Sequence, residues 1–401
     1  MVTDLYWPLI GGLEVVVREL SRELADRGHE VAVATLRQGG MPDHEDDAGV
    51  GVHRIGGTLQ RRARLFAESG RRYAPPFPDP EATLHLREVV ADFRPDVVHG
   101  HNWLIRSYLP LKRRRGPRLV VSLHDYGETC AKRTLYDLRQ EICSGPGPRK
   151  CPACSADHYG RAKGWTVAGT NWVSALAESG LVDRYLAISS AVATGNRLGE
   201  RGLPYDVIPN FCAVPAPDDA AHATLLGLLP DAPFLLFVGA LGRHKGVDVL
   251  LDAYGRLDDP PPLVLIGARW PDAPAVPDGV TVLHDWPSGA IAGAWRRCMI
   301  GLVPSAWAEP FGLVAVEAMQ AGRPVIASAA GGLADIVVDG ETGLLTPPGD
   351  PSALAAALRL LLADEGLRQT MGEAGRARST AFAASAIVPR FERAYARVLA
   401  T

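Results

Sequence analysis

The chain has 401 residues, 47% hydrophobic and 22% charged, which is long enough for two or three domains with full-sized cores. Its 42 Lys and Arg and 45 Asp and Glu give a net charge of -3, too balanced for a protein that neutralises a run of nucleic-acid phosphates, so no nucleic-acid partner is expected. No apolar run approaches the roughly 18 residues of a membrane-spanning helix. Residues 1–5 lack the features of a signal peptide, and we expect a cytoplasmic chain.

Short apolar runs alternate with amphipathic segments along the first half of the chain. Residues 14–27 have helical spacing and end at Gly28, and residues 30–35 are typical of a buried strand. Three further apolar runs occupy 96–99, 119–123 and 185–188. These runs are too continuous for half-exposed antiparallel strands, so they predict parallel strands covered on both faces and a doubly wound domain.

The same alternation restarts after residues 202–204. Strands are predicted at 233–239, 263–267, 280–283, 300–303 and 324–327, with helices between them. Two such domains, joined near residues 200–206, would place the carboxyl ends of both sheets across one cleft, where sheets of this kind bind ligands. Residues 381–399 have a helical pattern that we expect to break or kink at Pro389.

Two acidic residues in the second half of the chain, Glu309 and Glu317, give the clearest indication of a functional site. Pro310 and Gly312 hold Glu309 in a loop, and residues 313–320 have the composition of a helix. The N–H groups at the start of that helix offer an anion site, and the two carboxylates can accept hydrogen bonds from hydroxyls. This combination predicts a site for a sugar nucleotide; the alternative is an ordinary capped turn with Glu309 in solvent.

Cysteine and histidine residues in the first half form a second group. Four of the six cysteines are crowded into one segment, at Cys130, Cys143, Cys151 and Cys154. Their spacing predicts a structural zinc ion that staples a loop over about 126–160, with His158 as a substitute ligand; reduced thiols or a disulfide are the alternatives. At the strand ends, His99 is predicted to be structural, whereas His101 is either structural or functional.

Residues 309–317 resemble the paired-glutamate signature of retaining glycosyltransferases of family 4, which have the GT-B fold of two facing Rossmann-like domains with a cleft between them. Further segments resemble that family in the same order, at 8–14, 27–31, 96–101, 123–125, 208–210, 245–248 and 331–350. The resemblance implies an acceptor-binding domain over 1–204, a nucleotide-sugar-binding domain over 205–380, and a helix over 381–401 that returns to the first domain.

The resemblance also implies roles for individual residues. Glu309 would contact hydroxyls of the transferred sugar, Glu317 the nucleotide ribose and Lys245 the donor diphosphate, while His124 would have a catalytic place near the reacting sugar. The remaining residues of the predicted donor site are Gly11, Gly12, Arg243, Phe311, Gly312 and Leu313. The chain has Ala240 where the family has an arginine, so the phosphate is held either with the help of Arg243 or by Lys245 and the helix start alone.

The function implied is a retaining, metal-independent transfer of a sugar from a nucleoside-diphosphate sugar to a hydroxyl of a glycan, a lipid-linked or a natural-product acceptor. Because of Ala240, the alternative is a catalytically impaired, zinc-stapled module that binds sugar nucleotides. A nicotinamide-dependent oxidoreductase is disfavoured, because no Gly-x-Gly-x-x-Gly follows a strand. Basic clusters at 61–64 and 112–115 are either solvated loops or points of peripheral contact with anionic lipid.

Overall fold

Two parallel β-sheets organise the chain, one in each of two units. The structure is a computed structural model that describes residues 1–9, 11–62, 66, 70–212 and 219–401. Unit 1 comprises Met1–Leu138, Cys143–Pro209 and Ala384–Thr401, and unit 2 comprises Arg139–Ile142 and Asn210–Ala383. Ile10, in the segment 8–14 that resembles the family, and Arg64, in the basic cluster at 61–64, lie outside the described residues.

The strands are short, as is usual for doubly wound sheets. In chain order they are β1 Val2–Thr3, β2 Ala32–Leu36, β3 His44–Asp46, β4 Gly51–Ile55, β5 Val97–His101, β6 Arg118–Leu123, β7 Arg184–Ala187, β8 Tyr205–Val207, β9 Leu235–Val238, β10 Leu263–Ile266, β11 Thr281–Leu283, β12 Ile300–Val303, β13 Val325–Ser328 and β14 Gly343–Thr346.

Helices connect most of the strands. They are α1 Gly12–Asp26, α2 Pro80–Phe93, α3 Lys150–Tyr159, α4 Arg161–Ser179, α5 Ser190–Gly195, α6 Ala223–Leu226, α7 Val247–Tyr254, α8 Ser288–Arg297, α9 Leu313–Gln320, α10 Leu333–Ile336, α11 Pro351–Ala363, α12 Glu365–Ser379 and α13 Ala384–Leu399. Short 3-10 helices occupy Leu59–Arg61, Trp103–Leu111, Arg243–Lys245 and Thr380–Phe382.

The sheet of unit 1 has eight strands in the order β3-β4-β2-β1-β5-β6-β7-β8. Every pair is parallel except β3 with β4, which is antiparallel. Leu119, Val120 and Val121 of β6 are all buried, as the continuous apolar run predicts for a strand covered on both faces. The pairing of β5 with β6 sets His101 opposite Ser122, which brings the polar ends of these two strands together.

The sheet of unit 2 has six parallel strands in the order β11-β10-β9-β12-β13-β14. The chain builds outward from β9 through β10 to β11, and then returns to place β12 on the other side of β9. This reversal between β9 and β12 is a topological switch point, where loops at the carboxyl ends of doubly wound sheets bind ligands. The prediction of two parallel α/β domains is confirmed.

Helix α13 follows unit 2 in sequence but belongs to unit 1. It buries Ile387, Val388 and Phe391, and the Tyr395 hydroxyl lies 2.8 Å from Nδ1 of His99. The helix runs on through Pro389, so the predicted break is wrong, whereas a kink at this residue stays a prediction. The free energy gained by burying the apolar face of the helix offsets the loss of the one backbone hydrogen bond that Pro389 cannot donate.

No helix in the described part of the chain is both long and apolar enough to span a bilayer.

Candidate active site

In unit 2, polar side chains gather in the loops that follow neighbouring strands. Lys245 follows β9 and Glu309 follows β12, on the two sides of the switch point. Gly246 joins Lys245 to α7 with φ 71°, and a Cβ there would lie 1.9 Å from the carbonyl oxygen of Pro304. Only glycine allows the start of α7 to approach the end of β12 this closely, which places the two loops side by side.

The Glu309 carboxylate is the centre of a hydrogen-bonded cluster. Its Oε2 atom accepts from Lys245 Nζ at 2.6 Å, from Ser305 Oγ at 3.0 Å and from Trp307 Nε1 at 3.0 Å. The residue is 9% exposed. Three donors therefore hold a nearly buried charge in one orientation, which is how a protein presents a carboxylate to ligand hydroxyls.

The electrostatics of this cluster favour the ionised acid. Burial alone would raise the pKa of Glu309, but the Lys245 charge and the hydrogen bonds from Lys245, Trp307 and Ser305 outweigh it and lower the pKa. Lys245 Nζ also lies 5.2 Å from the centroid of the Trp307 ring. At neutral pH the site thus contains a carboxylate and an ammonium ion in direct contact.

The backbone of Glu309 is fixed by the turn after β13. Gly331 has φ 63°, and a Cβ at this position would lie 2.1 Å from the Glu309 carbonyl oxygen. The N–H of Gly332 donates to the same oxygen at 2.6 Å. The two glycines therefore let this turn pack directly on the acidic loop.

Helix α9 begins at Leu313, directly after Gly312, as the sequence predicts. Its first N–H groups have no acceptor inside the helix, and the helix dipole is positive at this end. Phe311 is buried and packs edge-to-face with Phe382, with ring centroids 5.8 Å apart. Phe311 therefore packs in the core of unit 2, while Gly312 is the N-cap of α9 and Leu313 is its first residue.

Glu317 lies one turn into the same helix and is half-buried. Its Oε2 atom accepts from Nε1 of Trp295 at 3.1 Å. Burial raises the pKa of Glu317, and the hydrogen bond from Trp295 opposes part of that rise. Trp295, which sequence reasoning missed, orients this carboxylate.

Arg243 is the cation that was predicted to compensate for the arginine missing at Ala240, and it lies near the surface. Arg243 is half-exposed, and its Nη1 atom lies 3.6 Å from the Asp248 carboxylate. Next to it, the ring of His244 lies 4.5 Å from that of Trp270 and 5.9 Å from that of Trp307. Sequence reasoning missed the aromatic neighbours His244 and Trp270.

In unit 1, histidines gather where β5 and β6 end. His101 Nδ1 lies 2.9 Å from His124 Nε2. Burial lowers the pKa of His124 to about 4, with the nearby Arg133 adding to the effect and Asp125 opposing it, and burial holds the pKa of His101 well below its ordinary value. Both imidazoles are therefore neutral at physiological pH.

The other predicted residues of unit 1 lie at the start of α1. Gly11 caps the helix and Gly12 is its first residue. A Cβ on Gly11 would lie 2.2 Å from the Glu14 carboxylate, so that side chain occupies the space beside the glycine. A part for Gly11 and Gly12 in donor binding stays a prediction.

The cysteine-rich segment contains four half-buried cysteines that form no disulfide: Cys130, Cys143, Cys151 and Cys154. Burial raises the pKa of Cys151, and the nearby Cys130 and Cys143 add to that rise. Among the residues that the structure describes, no group of three or more His, Cys, Asp or Glu side chains is arranged to hold a metal ion. The predicted zinc site therefore has no support from the geometry.

Comparison with known proteins gives the same assignment in both halves. The family model described as Glycosyltransferase Family 4 matches residues 10–213, and the model Glycosyl transferases group 1 matches residues 226–378. The D-inositol 3-phosphate glycosyltransferase of Xylanimonas cellulosilytica is 30% identical, over 93% of this chain and 88% of its own length.

Solved structures share the fold at lower identity. Sucrose-phosphate synthase from Thermosynechococcus elongatus superposes with a TM-score of 0.74 at 24% identity, covering 100% of this chain and 99% of its own. HepE of Anabaena, solved in complex with UDP-glucose, superposes with a TM-score of 0.67 at 18% identity, covering 99% of both chains. These likenesses show the GT-B fold, and the family match over half of the chain shows that the protein belongs to glycosyltransferase family 4.

Proposed function

We propose that the protein transfers a sugar, with retention of anomeric configuration, from a nucleoside-diphosphate sugar to a hydroxyl of the acceptor. The observation that carries this proposal is the Glu309 carboxylate, nearly buried, ionised and held against Lys245 at the switch point of unit 2. A paired acid and ammonium suit a ligand that has both sugar hydroxyls and a diphosphate.

In this proposal unit 2 binds the donor. Glu309 accepts hydrogen bonds from the transferred sugar, Glu317 from the nucleotide ribose, and the start of α9 faces phosphate oxygens. Lys245 turns from Glu309 toward the diphosphate and stabilises the charge that the phosphate gains as the glycosidic bond breaks. Arg243 adds a weaker, exposed charge.

Transfer with retention needs no protein nucleophile in this arrangement. The acceptor oxygen forms its bond to the anomeric carbon on the face from which the phosphate departs, and the departing phosphate oxygen takes the acceptor proton. The protein contributes orientation and charge stabilisation. No step of this proposed transfer passes through a metal ion.

Unit 1 binds the acceptor in this proposal, with His124 near the reacting groups. The match to D-inositol 3-phosphate glycosyltransferases makes phosphorylated polyols the first acceptors to examine. The HepE complex with UDP-glucose makes uridine diphosphate sugars the first donors.

The test is release of nucleoside diphosphate from UDP-, GDP-, ADP- and dTDP-sugars in the presence of D-inositol 3-phosphate or unphosphorylated inositol. The anomeric configuration of the product, read by NMR, decides retention. We expect turnover by the parent chain and none above background in Glu309→Gln and Lys245→Met. Glu373→Gln, an equal change on the exposed face of α12, is the matched control.

Two results would count against the proposal. Inversion at the anomeric carbon would overturn the retaining mechanism. Tight binding of a sugar nucleotide, without turnover for any acceptor, would instead favour a binding module that has lost its activity.

A further inference from the structure

Helix α4 turns polar side chains inward and apolar side chains outward. Asn171 and Glu178, on its inner face, are 0% and 1% exposed. Trp165, Val173 and Leu176, on its outer face, are 61%, 70% and 74% exposed. This is the reverse of the usual surface helix, in which the apolar stripe faces the core and the polar face meets water.

The inward polar residues of α4 are explained by one buried cation. The Arg106 guanidinium is fully buried and donates to Glu178 Oε2 at 3.0 Å and to Asn171 Oδ1 at 2.7 Å. Asn171 Nδ2 in turn donates to the carbonyl oxygen of Gly127 at 3.0 Å. These bonds fix the orientation of α4, and with it the face that points to solvent. The outward apolar residues gain nothing from this orientation.

The exposed apolar residues form one stripe along the helix. At 3.6 residues per turn, Trp165, Val173 and Leu176 lie within roughly 80° of one another around the axis and extend over roughly 16 Å. Gly169, which lies between them on the same face, is also exposed. Single exposed apolar side chains are ordinary, but an apolar stripe without a charge marks an interaction site. We call these four residues the α4 surface.

Positive charges lie at both ends of the α4 surface. Arg161 and Lys163, in the first turn of α4, are exposed. Near the other end, residues 113–115 are three consecutive exposed arginines, which we call the arginine loop. Lys112 Nζ lies 2.7 Å from Oδ2 of Asp183, shortly after the helix ends, and this bond holds the arginine loop beside the end of α4.

The acidic groups nearby leave this charge largely uncompensated. The Glu178 carboxylate is buried on the inner face of α4. The Asp183 carboxylate is already paired, because it lies 2.7 Å from Lys112 and 3.3 Å from Arg118. Asp157, on the neighbouring α3, is exposed and subtracts a single charge. The exposed charge at the two ends of α4 is therefore mainly positive.

The charge at both ends distinguishes between two kinds of partner. A second copy of the chain would place α4 against α4, and since both ends are basic, either direction of the pairing sets cations against cations. A bilayer with anionic lipids matches both features. Its headgroup boundary takes up apolar side chains from a helix that lies in its plane, and its phosphates attract the flanking lysine and arginine. Tryptophan is well suited to this boundary, because its ring is apolar with one polar N–H.

We propose that unit 1 binds the surface of an anionic lipid bilayer through the α4 surface and the arginine loop, with α4 lying in the plane of the interface. The apolar side chains of α4 enter the headgroup boundary, and the arginines contact lipid phosphates. The α4 surface contains none of the residues assigned to the sugar nucleotide, so binding to a bilayer and sugar transfer can be measured independently.

The experiment is sedimentation of the full chain with vesicles of phosphatidylcholine alone and of phosphatidylcholine with about one third phosphatidylglycerol. We expect the chain to bind the anionic vesicles, to bind them more weakly as salt is raised, and to stay in solution with the neutral vesicles. No binding to the anionic vesicles at low salt would overturn the proposal. The transferase assay contains no vesicles, so failure of either test leaves the other standing.

Two substitutions separate the apolar and the basic contributions. Leu176→Gln removes a leucine side chain from the contact with lipid, so we expect a partition coefficient about tenfold lower. Arg114→Ser removes one surface cation, so we expect binding to anionic vesicles to be about fivefold weaker. Leu360→Gln and Arg359→Ser are the matched controls, since both residues are exposed on α11 of unit 2, and we expect neither to change binding.

The substituted side chains are exposed, so the variants should melt at the temperature of the parent chain, which separates lost binding from lost folding. Binding of Leu176→Gln as tight as that of the parent would refute the role of the α4 surface. Sedimentation velocity tests the other partner. Self-association that Leu176→Gln abolishes, in a chain that does not bind vesicles, would overturn the proposal in favour of a second copy.

Discussion

Replacing Lys245 by methionine tests whether the nearly buried, ionised carboxylate of Glu309 is stabilised by the Lys245 ammonium ion. The substitution keeps the length of the side chain but removes the ammonium ion that lies 2.6 Å from Glu309 Oε2. Breaking a buried ion pair from one side typically costs about 3–5 kcal/mol. We expect the lower end, about 3 kcal/mol, because Lys245 is 23% exposed and Ser305 and Trp307 still donate to the carboxylate.

The measurement is thermal unfolding of unit 2, followed in Lys245→Met, in Glu309→Gln and in the double variant. At roughly 2–4 °C per kcal/mol for a unit of this size, the melting temperature of Lys245→Met should fall by about 6–12 °C. The double variant should recover most of that loss, because no unpaired charge is left, although all three variants lose turnover. Equal melting temperatures for Lys245→Met and the double variant would refute the reasoning.

Three further predictions concern pH, packing and phosphate binding. Between pH 7 and pH 5, His124 protonates more readily in the unfolded chain than in unit 1, because burial lowers its pKa to about 4, and it contributes a loss of about 2 kcal/mol of stability. Buried Asp4, whose pKa is raised to about 6, and buried Glu178, whose pKa is raised to about 8, have the opposite sign, so the His124 contribution is measured as the difference between the parent chain and His124→Gln; an equal change in melting temperature from pH 7 to pH 5 in both would contradict it. Arg106→Leu should lower the melting temperature of unit 1 more than Glu178→Gln, because it leaves the buried carboxyl groups of Glu128 and Glu178 without the guanidinium that lies 3.0 Å from each, whereas burial and the neighbouring Glu128 already raise the pKa of Glu178 to about 8; the reverse order in calorimetry would contradict this reasoning. Arg243→Ala should weaken binding of UDP about threefold at low salt and less at high salt, as titration calorimetry can check, since its charge is exposed; a salt-independent loss would show direct, desolvated contact.

Much of the fold can be predicted from the sequence, because a strand that is covered on both faces appears as a continuous apolar run. A parallel strand such as β9, Leu235–Val238, is apolar at every position, and all four residues are buried. The start of α9 is also predictable, since Gly312 interrupts the chain immediately before a helical pattern. Both features depend on residues close together in sequence.

The contacts of the site could not be predicted in the same way. Lys245 and Glu309 are 64 residues apart and meet only because β12 returns to the side of β9. His101 and His124 meet because β5 pairs with β6 in a particular register. Strand order and register are set by the packing of the whole sheet, and a single sequence does not reveal them.

At Pro389 a strong local pattern predicts a helix break that the structure does not have. Proline inside a helical pattern usually predicts a break. Here the apolar face formed by Ile387, Val388 and Phe391 is buried in unit 1, and the helix continues. The packing of the helix outweighs the preference of one residue.

The position of α13 has a consequence for how the chain can be divided. Unit 2 is an insertion within unit 1, because the last 18 residues, Ala384–Thr401, return to unit 1 after the chain has completed unit 2. A chain cut at residue 383 would leave His99 without the Tyr395 hydroxyl and would strip an apolar helix from the surface it covers. Unit 1 is therefore complete only once residues 384–401 have been synthesised, and expressing it without unit 2 needs a linker that joins this last helix to residues 1–209.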